Sequence, residues 1–311
     1  MKREIGWNDI ARDPQSVVTV GTFDGVHRGH QAIIDYLGRR AGERSGPSTL
    51  VSFDPHPRSV VHGEDVPLLT TVAERADVLE ELGLDHFVVI PFTEDFARLT
   101  PEAYVRDVLV QRIGVQEVTV GYDHRFGKDR AGDVDLLRDL GAQYEFEVDF
   151  IPPQEVDRDV VSSSSIRALL AEDGAIEQAN ERLGRAYGLS GDVARGEGRG
   201  RKLGYPTANL VLEDPRKLVP KRGVYATVVT LPDGRREGGM MNIGRRPTFD
   251  EMDVTVEVHV FNFEGDLYGE RLSVQFLQRL RDEQKFESAE ALAAQLSEDE
   301  QRCRRVVEAL A

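Results

Sequence analysis

The chain has 311 residues, 40% of them hydrophobic, which is enough for two domains with separate cores and too apolar for a disordered protein. Its formal charge of −16 (39 basic against 55 acidic side chains) lacks the basic footprint that a nucleic-acid partner needs. The start MKREIGWNDI is polar, no later run could span a bilayer, and one cysteine, Cys303, excludes an internal disulfide or a cysteine-rich zinc site, so a soluble, cytoplasmic protein is expected.

In chain order, Val17–Val20 reads as a strand that runs into a glycine-broken turn and a helix. Leu50–Phe53 is a short apolar run. Val72–Leu82 carries apolar residues at helical spacing, with Gly83 where a C′ residue belongs. His86–Ile90 is strand-like. Thr100 and Pro101 start a helix as N-cap and N1, and that helix ends at Gly114. Val118–Val120 is strand-like and ends in Gly121. This β-α-β-α rhythm predicts an α/β domain with a parallel sheet, whose ligands bind at the carboxyl ends of the strands. After a helix over Ala175–Leu183 the rhythm changes. Short strands at Val224–Leu231, Gly238–Ile243, Val254–Phe261 and Leu272–Leu277 follow without long helices, which predicts a small antiparallel barrel. A helix from about Ser288 to Leu310 closes the chain. The domains are therefore expected at 1–183 and 184–311. Lysine occurs at only six positions, and the acidic, arginine-based surface fits a salt-adapted source or a GC-rich genome equally well.

Residues 20–30 read VGTFDGVHRGH. Gly21 and Gly25 let the backbone turn tightly and approach a ligand. His27 and His30 then share one face of the first helical turn, where free N–H groups favour anions. Imidazoles there can donate hydrogen bonds to a phosphate as it gains charge during transfer. Two other readings stay open: a metal pair, for which no third ligand is recognisable, and ordinary surface histidines.

TFDGVHRGH resembles the HxGH motif of the nucleotidyltransferases, and more closely the adenylyltransferase module of bacterial bifunctional riboflavin kinase/FAD synthetases. SFDPHPR at 52–58, GYDHRFGKDRAGD at 121–133 and SSSSIR at 162–167 resemble the family's further signatures in order and spacing, with His124 where the family usually has Phe. The resemblance implies a Rossmann-like N-terminal domain in which His27 and His30 stabilise the α-phosphate transition state and Ser163, Ser164 and Arg167 hold ATP. It also implies binding roles for Gly21, Phe23, Asp24, His56 and Asp123. His56, between two prolines, has a second reading as a residue that shapes its loop. The serines have a second reading as a linker and Asp123 as a turn residue.

Residues 196–209 read GEGRGRKLGYPTAN. A glycine-rich basic loop can wrap phosphates, and the hydroxyl of Thr207 and carbonyl of Asn209 are hard oxygen ligands suited to Mg²⁺ with bound phosphates. A mobile surface loop is the competing reading. GRKLGYPTANL closely resembles the riboflavin kinase signature, and RGVYA at 222–226, NIGRRPTF at 242–249 and TVEVHVFNFEGDLYGE at 255–270 match as well, except that Asn262 stands where the family commonly has Asp. By that resemblance Gly196, Gly198, Lys202, Gly204, Thr207 and Asn209 bind nucleotide, Thr207 and Asn209 hold the metal as well, and Arg281 lies near the flavin. A surface ion pair is the other reading of Arg281. Val254, Val256, Val258 and Val260 share one strand face and Thr255, Glu257 and His259 the other. Glu257 occupies the position of the family's general base, against a reading as one residue of a solvated sheet face.

The resemblance covers essentially the whole chain. It implies an enzyme that phosphorylates riboflavin with ATP to FMN, then transfers AMP from ATP to FMN, with Mg²⁺ as cofactor and no membrane or nucleic-acid partner. Self-association is left open. Rivals are a nucleotidyltransferase with another acceptor, a flavin sensor that has lost catalysis, and a class I aminoacyl-tRNA synthetase. The kinase motifs, the intact His27, His30, Thr207, Asn209 and Glu257, and the absence of a KMSKS-like partner argue against each in turn.

Overall fold

The computed structural model describes residues 1–7, 10–121, 125–151, 161–195, 200, 203–247 and 252–310. These form two compact units, Met1–Ser163 and Ser164–Ala311.

The first unit is built on six parallel strands in the order β1-β4-β3-β2-β5-β6. They are β1 (Lys2–Ile5), β2 (Ser16–Val20), β3 (Ser48–Asp54), β4 (His86–Pro91), β5 (Val115–Gly121) and β6 (Glu147–Ile151). The central strands are buried on both faces, as parallel sheets require. In β2, Val17 joins Leu50, Phe87 and Val89 under Ile34, Leu37, Ala76 and Leu79. Its neighbour Val18 joins Val51, Val88 and Val118 under Val105, Val108, Leu109 and Leu137 on the other face. The helices of this unit include α1 (Arg28–Arg44), α2 (Pro57–His62), α3 (Val72–Glu81), α4 (Glu94–Ala97), α5 (Pro101–Ala103) and α6 (Val134–Tyr144). From β2 the chain winds outward through β3 and β4, then returns to place β5 on the other flank of β2. The carboxyl ends of β2 and β5 thus flank the topological switch point, where α/β sheets bind ligands.

The expected helix from Thr100 to Gly114 has those ends, with Thr100 accepting from the Ala103 amide and Gly114 in the left-handed region. Its winding differs from expectation: only Pro101–Ala103 is α, and Tyr104–Ile113 is a π-helix closed by the Gly114 amide on the Leu109 carbonyl. The wider turn keeps Tyr104, Val105, Val108, Leu109 and Ile113 all buried.

The second unit is a closed antiparallel barrel in the order β10-β11-β8-β7-β12-β9. Its strands are β7 (Gly188–Ala194), β8 (Ala208–Leu212), β9 (Gly223–Thr230), β10 (Arg236–Pro247), β11 (Met252–Val260) and β12 (Arg271–Arg281). Two helices precede it, α7 (Ser163–Ala168), which starts on the last residue of the first unit, and α8 (Ile176–Leu183). Asn180 of α8 donates to the Phe276 carbonyl at 2.8 Å and accepts from the Tyr187 amide at 2.7 Å. The C-terminal helix Ala289–Leu310 covers Val224, Ala226, Met240 and Phe261 with Leu296, Cys303 and Val306.

Candidate active sites

The first candidate site grows from the carboxyl end of β2. Here Gly25 has φ +82° and even Phe23 and Val26 have positive φ (48° and 39°). Glycine is needed at 21 for a different reason: a Cβ there would sit 2.9 Å from the Phe23 ring. The turn delivers His27 to the N-cap of α1, where its Nδ1 accepts the His30 amide at 3.4 Å. That acceptor role assigns the proton of the neutral ring to Nε2. The His30 ring lies between two others, 3.7 Å from the His27 centroid and 4.5 Å from that of Phe23. His27 is buried and His30 half-buried. Two imidazoles are thus held parallel on a helix N-terminus, where donors to an anion belong.

Asp24 is fully buried. Its carboxylate accepts the amides of Leu69 (3.0 Å) and Thr70 (2.9 Å) and the Thr70 hydroxyl (3.2 Å), and these bonds hold the turn. Its carbonyl accepts the hydroxyl of Ser163, the last residue of the same unit, at 2.8 Å. Ser164 and Arg167 follow on α7, the first exposed and the second half-buried. His56 caps α2 by accepting the Arg58 amide at 3.1 Å, the loop-shaping role in its own right. Asp123 lies outside the described residues.

The second site crosses three neighbouring barrel strands. Glu257 on β11 pairs with Asn209 on β8 and with Asn242 on β10. The residues around each of them (Ala208, Leu210, Met241, Ile243, Val256, Val258) are buried on one face, so all three polar side chains share the other face of these strands. Directly opposed residues have Cβ atoms about 5 Å apart. The Thr207 hydroxyl donates to Glu257 Oε2 at 3.1 Å. The motif residues Thr207, Asn209 and Glu257, separated by 50 positions, are therefore one cluster. Its oxygen donors are hard ones, the chemistry that suits Mg²⁺ completed by phosphate oxygens. Among the described residues no group of three or more His, Cys, Asp or Glu is placed to hold a metal by itself. Gly204 has φ +84° beside this cluster in sequence, and Gly196, Gly198 and Lys202 lie outside the described residues.

Sequence reading missed Asn242, although it quoted the NIGRRPTF stretch that contains it; only the strand register places it against Glu257. It also left Asp299 unremarked. Arg281 is turned to that buried carboxylate, at 2.9 Å from Nε and 2.7 Å from Nη2, and Gln295 donates to its other oxygen at 3.1 Å. Nothing in an amphipathic helix sequence marks one of its acids as buried.

Two family models match the chain: FAD synthetase over residues 9–165 and riboflavin kinase over residues 183–307. Curated proteins described as bifunctional riboflavin kinase/FMN adenylyltransferase are similar along their length. That of Pseudomonas fluorescens is 41% identical, over 91% of this chain and 90% of its own. That of Listeria monocytogenes is 37% identical over 95% and 92%, and that of Escherichia coli K12 35% identical over 96% of each. A solved structure from Streptococcus pneumoniae, described as a macrolide-efflux protein, superposes with a TM-score of 0.87 at 31% identity, covering 98% of this chain and 99% of that one. No helix among the described residues here is long and apolar enough to cross a membrane.

Proposed function

The chain belongs to the bifunctional riboflavin kinase/FMN adenylyltransferase family, and from that premise we propose which residues carry each step. The enzyme phosphorylates riboflavin with ATP to give FMN, and transfers AMP from ATP to FMN to give FAD.

In the barrel, Glu257 takes the proton from the 5′-hydroxyl of the ribityl chain. That oxygen bonds to the γ-phosphorus of ATP as the bond to the β-phosphate oxygen breaks, and ADP leaves. Thr207 donates to Glu257, which keeps the carboxylate oriented. Thr207 and Asn209 would hold Mg²⁺, which when bound neutralises the nucleotide's phosphate charge. We place Arg281 near the flavin and the 196–204 loop around the phosphates of ATP.

In the N-terminal domain, a phosphate oxygen of FMN attacks the α-phosphorus of a second ATP, and pyrophosphate leaves. The FMN phosphate is already ionised at neutral pH, so no general base is required. The need is cancellation of the charge that gathers on the α-phosphoryl oxygens. His27 and His30 donate to those oxygens, while Ser163, Ser164 and Arg167 hold the ATP phosphates, the last with a planar, permanently charged fork. We draw the catalytic boundary at 183/184, where α8 ends at Gly184, and we assign the enzyme to the cytoplasm, beside its ATP supply.

The observation that carries this reading is the cluster of Asn209 on β8, Glu257 on β11 and Thr207 just before β8. The test follows riboflavin, FMN and FAD by chromatography after mixing enzyme, riboflavin, ATP and MgCl₂. Wild type accumulates FMN first and FAD second. Glu257→Gln stops FMN formation, by about 10²- to 10⁴-fold, and still converts added FMN to FAD. His30→Ala does the reverse. Either variant losing both activities while folded overturns the assignment of separate sites.

A further inference from the structure

Arg75 is a buried cation that neither reaction step uses. It lies on α3 and is 3% exposed, beneath the turn that carries the two histidines. Its Nη1 donates to the Ser52 hydroxyl at 3.0 Å, and that hydroxyl donates to the Thr22 carbonyl at 3.1 Å. Its Nη2 donates to the Thr70 carbonyl at 3.3 Å and stands 3.7 Å from Asp24 Oδ1. Thr70 completes the frame: its hydroxyl donates to Asp24 at 3.2 Å and accepts the Gly25 amide at 2.9 Å. One guanidinium therefore ties both ends of the turn, Thr22 on one side and Asp24–Gly25 on the other, to β3 and to the 69–70 segment.

The turn needs such a frame. Phe23 and Val26 hold φ of 48° and 39°, and a β-branched residue at positive φ is a genuine outlier. Conformations of this kind persist only where the surroundings over-determine them. These same two residues set the aim of the histidines, since the Phe23 ring stacks on His30 and Val26 leads directly into the His27 cap. A buried charge with a partner at each end of its fork is well suited to the task, because Arg presents several donors in a rigid plane and a lysine does not.

We propose that Arg75 is a positioning residue for adenylyl transfer, holding the Thr22–Val26 turn in the shape that aims His27 and His30 at the phosphate. This rests on the reading of the two histidines given above. Arg75 touches no reacting atom; it acts through Ser52, Thr70 and Asp24. Its loss lets the turn relax, and a displacement of about 1 Å costs about 10²-fold in rate.

The test uses the full-length enzyme with Arg75→Met, Arg75→Lys, Thr70→Val and His30→Ala. Initial rates of FAD formation are measured against FMN and ATP with MgCl₂. Conversion of riboflavin to FMN by the same preparation, together with a melting curve, reports folding. Arg75→Met is expected to lower kcat for adenylyl transfer by about 10²-fold, with KM for FMN and ATP within about twofold and kinase activity unchanged. Arg75→Lys keeps the charge without the fork, so it recovers only part of that loss. Thr70→Val shifts kcat in the same direction, and it decides the question if Arg75→Met does not fold. The proposal is overturned if Arg75→Met or, failing that, Thr70→Val keeps kcat within about twofold of wild type. It is equally overturned if the loss only tracks the folded fraction, or if KM rises with kcat unchanged. His30→Ala separates two failures. If it is inactive while the Arg75 variants work normally, the frame alone is refuted. If it stays active, the histidine reading has failed and this inference falls with it.

Discussion

Replacing Arg281 by methionine would leave Asp299 fully buried with Gln295 as its side-chain donor among the described residues, since Arg281 supplies bonds of 2.9 and 2.7 Å to that carboxylate. Breaking a buried pair by removing one member costs about 3–5 kcal/mol, because the other charge stays desolvated. The bond from Gln295 places this case near the lower end, about 3 kcal/mol. For a unit of about 150 residues, 1 kcal/mol moves the midpoint by about 2–4 °C, so Arg281→Met should lower the barrel's melting transition by about 6–12 °C. Arg281→Met/Asp299→Leu removes both charges and fills the space, and it should recover to within about 1 kcal/mol of wild type. Scanning calorimetry of the three proteins, with riboflavin kinetics on each, gives the answer. A fall below about 2 °C in the single variant, or a double variant less stable than the single one, refutes the electrostatic reasoning. The same proteins test the flavin role: the double variant should keep a raised KM for riboflavin after its stability returns. A normal KM would reduce Arg281 to a strut.

Two further predictions concern the other unit and the C-terminal helix. Gly21→Ala puts a Cβ 2.9 Å from the Phe23 ring, which must move and carry its stacking partner His30 with it. We expect an overpacking cost of about 1–3 kcal/mol and about 10²-fold slower FAD formation from FMN, with riboflavin phosphorylation unchanged; wild-type FAD formation would show that the ring is not held against the histidine. Burial pushes the Cys303 thiol up from its ordinary value of 9.0 to about 12. A folded value above the unfolded one means that its stabilising contribution is complete below pH 9.0 and is lost as pH rises toward about 12. Melting curves across that window should fall more steeply for wild type than for Cys303→Ala, and equal slopes would refute the sign.

What the sequence determined by itself was periodicity, turn chemistry and motif order. Glycines at 83, 114 and 184 close helices in the left-handed conformation where the pattern places them, because only local backbone geometry is involved. The alternation of Val256 and Val258 with Glu257 distinguished the buried from the half-buried face of β11 directly, since a strand has period two. The strands it overlooked are the weakly patterned ones. KREI at β1 and EVDFI at β6 form the two edges of the parallel sheet, where one flank is unpaired and polar side chains are tolerated. The motifs told which residues matter to the chemistry, yet not how each is used. Asp24 and Arg281 sit in motifs, and the tertiary structure turns both toward other protein groups: Leu69 and Thr70 in one case, Asp299 in the other. Arg75, Asn242 and Asp299 carry no local signal at all. Their meaning comes from partners 23, 15 and 18 positions away (Ser52, Glu257 and Arg281), which strand pairing and helix packing bring together. A buried charge is identified by what surrounds it in space, and one-dimensional spacing does not encode that.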